Sequence, residues 1–508
     1  MQDNFYAVLA AQFPADTGAC AIETQNGQYY SWADLINGSG RIANLFKHLR
    51  LSRGDRIAVQ VEKSPEAVML YLAALRAGLV FVPLNTAYQS SEIDYFIGNA
   101  KPVVVVCSPS NINWIHPIAK RYAVAHVFTL GVTVKTLRKD SLLLAAATFK
   151  DNHACVDVAP SDLAAILYTS GTTGRSKGAM LTHSNLASNA QVLKVLWGWR
   201  RNDVLLHALP IFHVHGLFVA LHGALLSGSK MIWHNKFDPD AVIAALPRVT
   251  VMMGVPTMYV RLLDNPNFTS KAARNMRLFI SGSAPLLKET FVQFEARLGK
   301  RILERYGMSE TIMLTSNPLL GERIAGTVGL ALPQVQVRVA DEEGLVLANG
   351  NVGGIQVKGP NVFAGYWQMP EKTAEEFTAD GFFKTGDVGQ IDSAGYVSIV
   401  GRSKDLIITG GYNVYPKEIE SLIDELPGVL ESAVIGLAHR DFGEAVTAVV
   451  VARSGVQLEE RAMIEQLKAK IANFKVPKRI HIVAALPRNT MGKVQKNVLR
   501  DQFSAQSN

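Results

Sequence analysis

With 508 residues, 48% of them hydrophobic and 19% charged, the chain is too long for a single hydrophobic core and too apolar to be disordered or fibrous. Its formal charge of +8 suits anionic small molecules or a solvated basic surface, and the widely spaced Cys20, Cys107 and Cys155 exclude a disulfide framework and a zinc site. A reducing, cytoplasmic setting fits that cysteine usage.

The start of the chain carries Asp3 and no basic stretch before Phe5, unlike a secretory signal. No apolar run reaches the ~18 residues that a membrane span needs, so none is expected. Arg56–Val61 reads as a strand, Ala67–Ala77 as a helix and Leu79–Pro83 as a strand, an alternation that predicts α/β layers. Leu163–Thr169 reads as a further apolar strand, and Phe279–Pro285 as a strand ending in a small-residue loop before a helix over Leu287–Leu298.

From Gly326 to Val400 short alternating runs are separated by turn signals such as Asn349-Gly350 and Asp380-Gly381, which predicts a β-rich subdomain. Beyond Gly401 come a helix near Pro416–Leu426, strands near Glu431–Gly436 and Val446–Val451, a helix over Glu459–Ala472 and a strand at Arg479–Val483. The fold expected is therefore a large α/β N-terminal domain with a β-rich subdomain over residues 1–401, plus a smaller, mobile α+β C-terminal domain over residues 402–508. Gln466–Arg500 holds nine lysines and arginines and no acid. Without interleaved aromatics or a nucleic-acid module, that run points to small polyphosphates rather than DNA or RNA.

The segment Thr169-Ser170-Gly171-Thr172-Thr173-Gly174-Arg-Ser-Lys177 follows the strand at Leu163–Thr169 directly. Glycines there let backbone amides approach phosphates, and the hydroxyls and Lys177 add donors. A lone Gly-Thr-Thr-Gly reads more readily as a mobile surface turn, and the Walker A spacing is absent, so a P-loop kinase or GTPase is not supported.

This segment resembles the phosphate-binding motif of the adenylate-forming superfamily of acyl-CoA synthetases, luciferases and peptide-synthetase adenylation domains. Six further segments match in the family's order: Pro210–Leu217, Ser281–Leu286, Tyr306–Thr311, Phe383–Asp387, Gly401–Asp405 and Pro487–Lys493. The resemblance implies an acid:CoA ligase that uses ATP, Mg2+ and coenzyme A on a small carboxylic acid. A carboxylate attacking the α-phosphate of ATP builds negative charge at phosphorus, so the site needs a metal, fixed donors and a cation near the leaving pyrophosphate.

By resemblance, Glu310 holds the magnesium with Ser309 and Thr311 flanking it, Asp387 binds the ribose hydroxyls, and Arg402 sits at ribose and phosphates. Ser283, Ala284 and Tyr306 line the adenine pocket, and Lys493 stabilises the pentavalent transition state. Asp405 matches the hinge about which the small domain turns, exchanging Lys493 for a thioester-forming face that includes Gly410-Gly411. Taken singly these residues have plainer readings: Ser-Glu-Thr as a helix cap, Thr-Gly-Asp as a turn, Lys493 as a solvated charge.

Arg305, just before Tyr306, asks for an anion in the acyl pocket, because its planar fork binds a carboxylate bidentately. A salt bridge to Glu304 is the competing reading. Glu304–Glu310, Phe212–Gly216, Gly359–Trp367 and Pro487–Lys496 together are similar to malonyl-CoA synthetases, which makes malonate the expected acid. His215 is a candidate for the distal carboxylate, while His213 is expected to shape the pocket. Methylmalonate, fatty and aromatic acids, carrier-protein loading, a luciferase-like oxygenase and a non-catalytic nucleotide-binding regulator are the rival readings. The last of these would expect damage at Lys177, Glu310, Asp387 or Lys493, and all four are intact.

Overall fold

The helix Pro65–Arg76 lies at the centre of the larger part of the molecule. Ser64 caps it by accepting from the Ala67 amide at 3.1 Å, and Pro65 takes the first position, where no amide donor is needed. Of its residues only Glu66 escapes burial, as expected of a helix packed on every side. Its side chains share one core with Val59, Phe81 and Leu167 of a six-stranded sheet and with Ile22, Met231, Met253, Ile280 and Leu303 of a nine-stranded sheet. The computed structural model describes residues 3–131, 139–169, 176–409, 412–439, 443–489 and 492–504.

The six-stranded sheet runs His126–Thr129, Val104–Cys107, Arg56–Gln60, Val80–Pro83, Leu163–Thr169 and Lys177–Thr182; only the last strand is antiparallel. In the nine-stranded sheet the strands Leu303–Tyr306, Leu278–Ser281, Val251–Gly254, Val204–His207, Lys230–Trp233 and Cys20–Thr24 are parallel. Buried parallel strands read as continuous apolar runs, which is how Arg56–Gln60 and Val80–Pro83 were legible. Lys63, leaving the first sheet, donates to the carbonyls of His207 and His234 beside the second at 2.7 Å each, and its ammonium lies 4.3 Å from the Trp233 ring centre.

A four-stranded antiparallel sheet follows in chain order: Gln336–Ala340, Gly353–Lys358, Phe383–Ile391 and Val397–Arg402. The chain then passes through one 3-10 turn, Ser403–Asp405, into a smaller α+β C-terminal domain. There the long hairpin Val429–His439 and Gly443–Ala452 carries Arg479–Val483 as a parallel neighbour, with helices Pro416–Asp424, Glu460–Lys468 and Lys496–Ser504 covering two apolar faces. Among the described residues no helix is long and apolar enough to cross a membrane.

Candidate active site

Open α/β sheets place ligands beyond the carboxyl ends of their strands. The sequence-predicted residues collect at such ends: Thr169 closes Leu163–Thr169, Ser283 and Ala284 follow Leu278–Ser281, and Tyr306 closes Leu303–Tyr306. A loop beyond Val204–His207 leads to His213 and His215.

Asp387 and Arg402 face each other as a cross-strand pair, and Asp387 is buried. Its Oδ1 pairs with Arg402 Nε at 2.7 Å, and its Oδ2 accepts from the Tyr306 hydroxyl at 2.5 Å. The carboxylate beside it raises the Arg402 pKa further. Burial and the neighbouring Asp387 charge likewise push the Tyr306 phenol well up, so it stays a donor.

A second cluster surrounds Glu310. Its Oε1 accepts from the Tyr366 hydroxyl at 3.1 Å and lies 3.4 Å from Thr169 Oγ1. Burial raises the Glu310 pKa, while Tyr366, Arg402 and Lys177 pull it down. Lys177 pairs with Thr169 across the hairpin, and its Nζ binds Glu376 Oε1 at 2.8 Å above the Tyr366 ring. Ser170, Gly171, Thr172, Thr173 and Gly174 lie outside the described residues. The next element in the chain is a strand, Lys177–Thr182, where a Walker A site has a helix. Nor does a helix follow Ser309-Glu310-Thr311, which removes the helix-cap reading; the Thr311 hydroxyl accepts from the Met308 amide inside a turn.

Among the described residues no three His, Cys, Asp or Glu side chains cluster as a metal cage. One buried carboxylate next to hydroxyls fits Mg2+, which is commonly held by one or two carboxylates together with substrate phosphates and water.

The third cluster is cationic. Arg305 is buried, and its Nε and Nη2 have no protein partner. It fits only because residue 282 is glycine: a Cβ there would sit 2.4 Å from the guanidinium carbon. Burial pulls the Arg305 pKa down to about 9, leaving a cation at neutral pH. The expected alternative, a salt bridge to Glu304, is not formed. Consecutive strand residues point to opposite faces, and Glu304 instead accepts from the Leu286 amide at 3.0 Å, with burial raising its pKa to about 8.

His215 is fully buried at the start of a π-helix, His215–Leu221, with Nδ1 3.1 Å from Ser283 Oγ and Nε2 without a partner. Ser283 adopts a left-handed backbone, φ 71°, uncommon outside glycine. Burial, reinforced by Arg305, keeps both His213 (pKa about 3) and His215 neutral. The Lys493 charge lowers the His213 pKa further.

Lys493 is exposed to solvent at its surface yet crowded by protein on several sides. Burial first, then the Arg402 cation, lowers its pKa to about 8 against the pull of Asp387. Adjacent Gly492 lies close to Thr257 of the large domain, and Arg453 binds Glu289 across the same junction at 2.7 Å. Asp405 is ion-paired with Arg500 at 2.8 Å; Gly410 and Gly411 lie outside the described residues. Sequence reasoning missed Tyr366, Glu376 and Gly282. Tyr366 sat in a quoted motif without a role, and Glu376 carried no local signal.

The AMP-binding enzyme family matches residues 8–367, and the AMP-binding enzyme C-terminal domain family matches residues 418–493. The chain belongs to this family and is an AMP-forming acyl-CoA ligase, an enzyme that joins a carboxylic acid to CoA using ATP. Within the class it is similar to the malonate–CoA ligase of Arabidopsis thaliana, 36% identical over 98% of this chain and 89% of that one. It is 54% identical to MatB of Rhodopseudomonas palustris over the whole of both chains, with TM-scores of 0.96 to the ATP-bound and 0.85 to the apo crystal structure.

Proposed function

We propose that the acid is malonate: malonate and ATP give malonyl-AMP and pyrophosphate, and CoA then gives malonyl-CoA and AMP. The observation that carries this reading is Arg305, a buried guanidinium with two unpartnered donors beside a neutral His215 whose Nε2 is also free of partners. Leaving such donors bare is costly, and a second carboxylate satisfies them. In the tautomer that accepts from Ser283 at Nδ1, His215 carries its proton on Nε2 and presents it to the same anion.

In the first half-reaction a carboxylate oxygen of malonate bonds to the α-phosphorus while the bond from phosphorus to the bridging oxygen breaks, releasing pyrophosphate. Asp387 accepts from the ribose hydroxyls, and its contacts to Tyr306 and Arg402 hold it in place. Ser283, Ala284 and Tyr306 frame the adenine. Thr169, the 170–174 loop and Lys177 grip the phosphates, and Lys493 offsets the charge gathering on the α-phosphate. Glu310, flanked by Ser309 and Thr311, would hold Mg2+, which neutralises phosphate charge. In the second half-reaction the CoA sulfur bonds to the acyl carbon, the carbon–oxygen bond to AMP breaks, and the thiol proton passes to solvent.

Residues 1–401 and 402–508 form the two bodies, turning about a hinge near Asp405 so that Lys493 gives way to the face containing Gly410 and Gly411. The Lys493 position and the higher likeness to the ATP-bound MatB support reading this structure as the adenylate-forming arrangement. The wide spacing of Cys20, Cys107 and Cys155 supports a reducing, cytoplasmic setting.

Replacing Arg305 with alanine tests the reading. Removing one partner of a buried charge pair costs about 2 kcal/mol or more, so kcat/KM for malonate should fall by about thirtyfold or more. An unchanged KM and kcat would show that Arg305 does not bind the acid.

A further inference from the structure

Lys177, the lysine that the proposed function assigns to the ATP phosphates, already has a carboxylate partner. Its Nζ lies 2.8 Å from Glu376 Oε1 and 4.2 Å from the centre of the Tyr366 ring, and its side chain is only 13% exposed. Glu376, at the end of the helix Pro370–Glu376, has a second cation in reach: Lys372, one turn back, stands 3.4 Å from the same Oε1. The other oxygen, Oε2, lies 3.4 Å from the Tyr366 hydroxyl, which also contacts Glu310.

We propose that Glu376 is a counter-ion that hands Lys177 to the polyphosphate when ATP binds and reclaims it when pyrophosphate leaves. The inference rests on Lys177 being a phosphate ligand. A carboxylate that close to a bound triphosphate repels it, and a partly buried lysine–carboxylate pair competes with the phosphates for the lysine. Lys372 keeps the competition from becoming a trap: when Lys177 turns to the phosphates, Glu376 retains a cation in place of an uncompensated charge. The exchange lowers the affinity for ATP slightly and for the departing pyrophosphate in step. Fast product release follows without any movement of the strands that hold Lys177 and Thr169. The Tyr366 hydroxyl touches both carboxylates, so Glu376 stays within reach of the Glu310 cluster throughout.

Steady-state kinetics on the full-length enzyme, with ATP varied and inorganic pyrophosphate as product inhibitor, test this in E376Q, K372A and K177A. E376Q preserves shape and removes charge. It should lower both the KM for ATP and the inhibition constant for pyrophosphate by about threefold or more, leaving the KM for malonate unchanged. K372A removes a partly exposed cation, shared between Glu375 at 2.9 Å and Glu376 at 3.4 Å, and should shift both constants the other way, because Glu376 then holds Lys177 alone. A higher KM for ATP in E376Q, or unchanged pyrophosphate inhibition, overturns the counter-ion role. K177A separates the two readings. If its ATP and pyrophosphate constants match wild type, Lys177 is not a phosphate ligand and the premise fails. If K177A weakens both while E376Q changes neither, only the role of Glu376 is lost.

Discussion

At the scale of single residues, Arg305 depends on what position 282 lacks. A methyl group on Gly282 would meet the guanidinium at 2.4–2.6 Å, so Gly282→Ala must displace Arg305. Overpacking of this kind costs roughly 1–3 kcal/mol. The KM for malonate should rise by about tenfold, and by more than the KM for ATP; equal effects on both would mean that Gly282 serves the nucleotide instead. Arg305 was legible because an arginine before Tyr306 asks for an anion. Gly282, Tyr366 and Glu376 were not, since each matters through a partner tens to hundreds of positions away, at Arg305, Glu310 and Lys177. The competing reading, a salt bridge to Glu304, fails because strand alternation turns the neighbour's side chain away.

At the scale of elements, the segment carrying Lys493 is braced from both sides. Arg488 donates to the Gly492 carbonyl and pairs with Glu431, while Lys496 binds Glu420 at 2.6 Å. Lys493→Ala should therefore lower adenylate formation by about 100-fold or more yet spare thioester formation from supplied malonyl-AMP. Loss of both in a well-folded variant would contradict its role. With a pKa near 8, Lys493 is a cation below that pH and neutral above it. The kcat/KM for ATP in the adenylation step should fall as pH rises through about 8, and Lys493→Arg should move that fall upward. Two helices and three strands of the C-terminal domain were readable from their periodicity, whereas the helix Lys496–Ser504 was not assigned. The π-helix His215–Leu221 was not, because its apolar run reads equally as an α-helix and differs only in which amide meets which carbonyl.

At the scale of the whole molecule, the order of α/β layers, then a β-rich subdomain, then a small α+β domain was visible along the chain. That two sheets share one core around Pro65–Arg76 was not, because a helix buried on every side carries no mark of which sheet it faces. The basic stretch Gln466–Arg500 also reads differently once folded. Among the described residues Lys468, Lys475, Arg479, Arg488, Lys496 and Arg500 are paired with acids from elsewhere in the C-terminal part. These pairs tie that part of the molecule together, and Lys493 is the member of the run placed against Asp387 and Arg402.

A single assay tests the account most directly: CoA thioester formation with ATP and, in turn, malonate, methylmalonate, acetate, octanoate and benzoate. With Arg305 buried and two of its donors unpartnered, malonate should give the highest kcat/KM, with methylmalonate next and the three monocarboxylates well behind. A preference for octanoate or benzoate over malonate would contradict the dicarboxylate site.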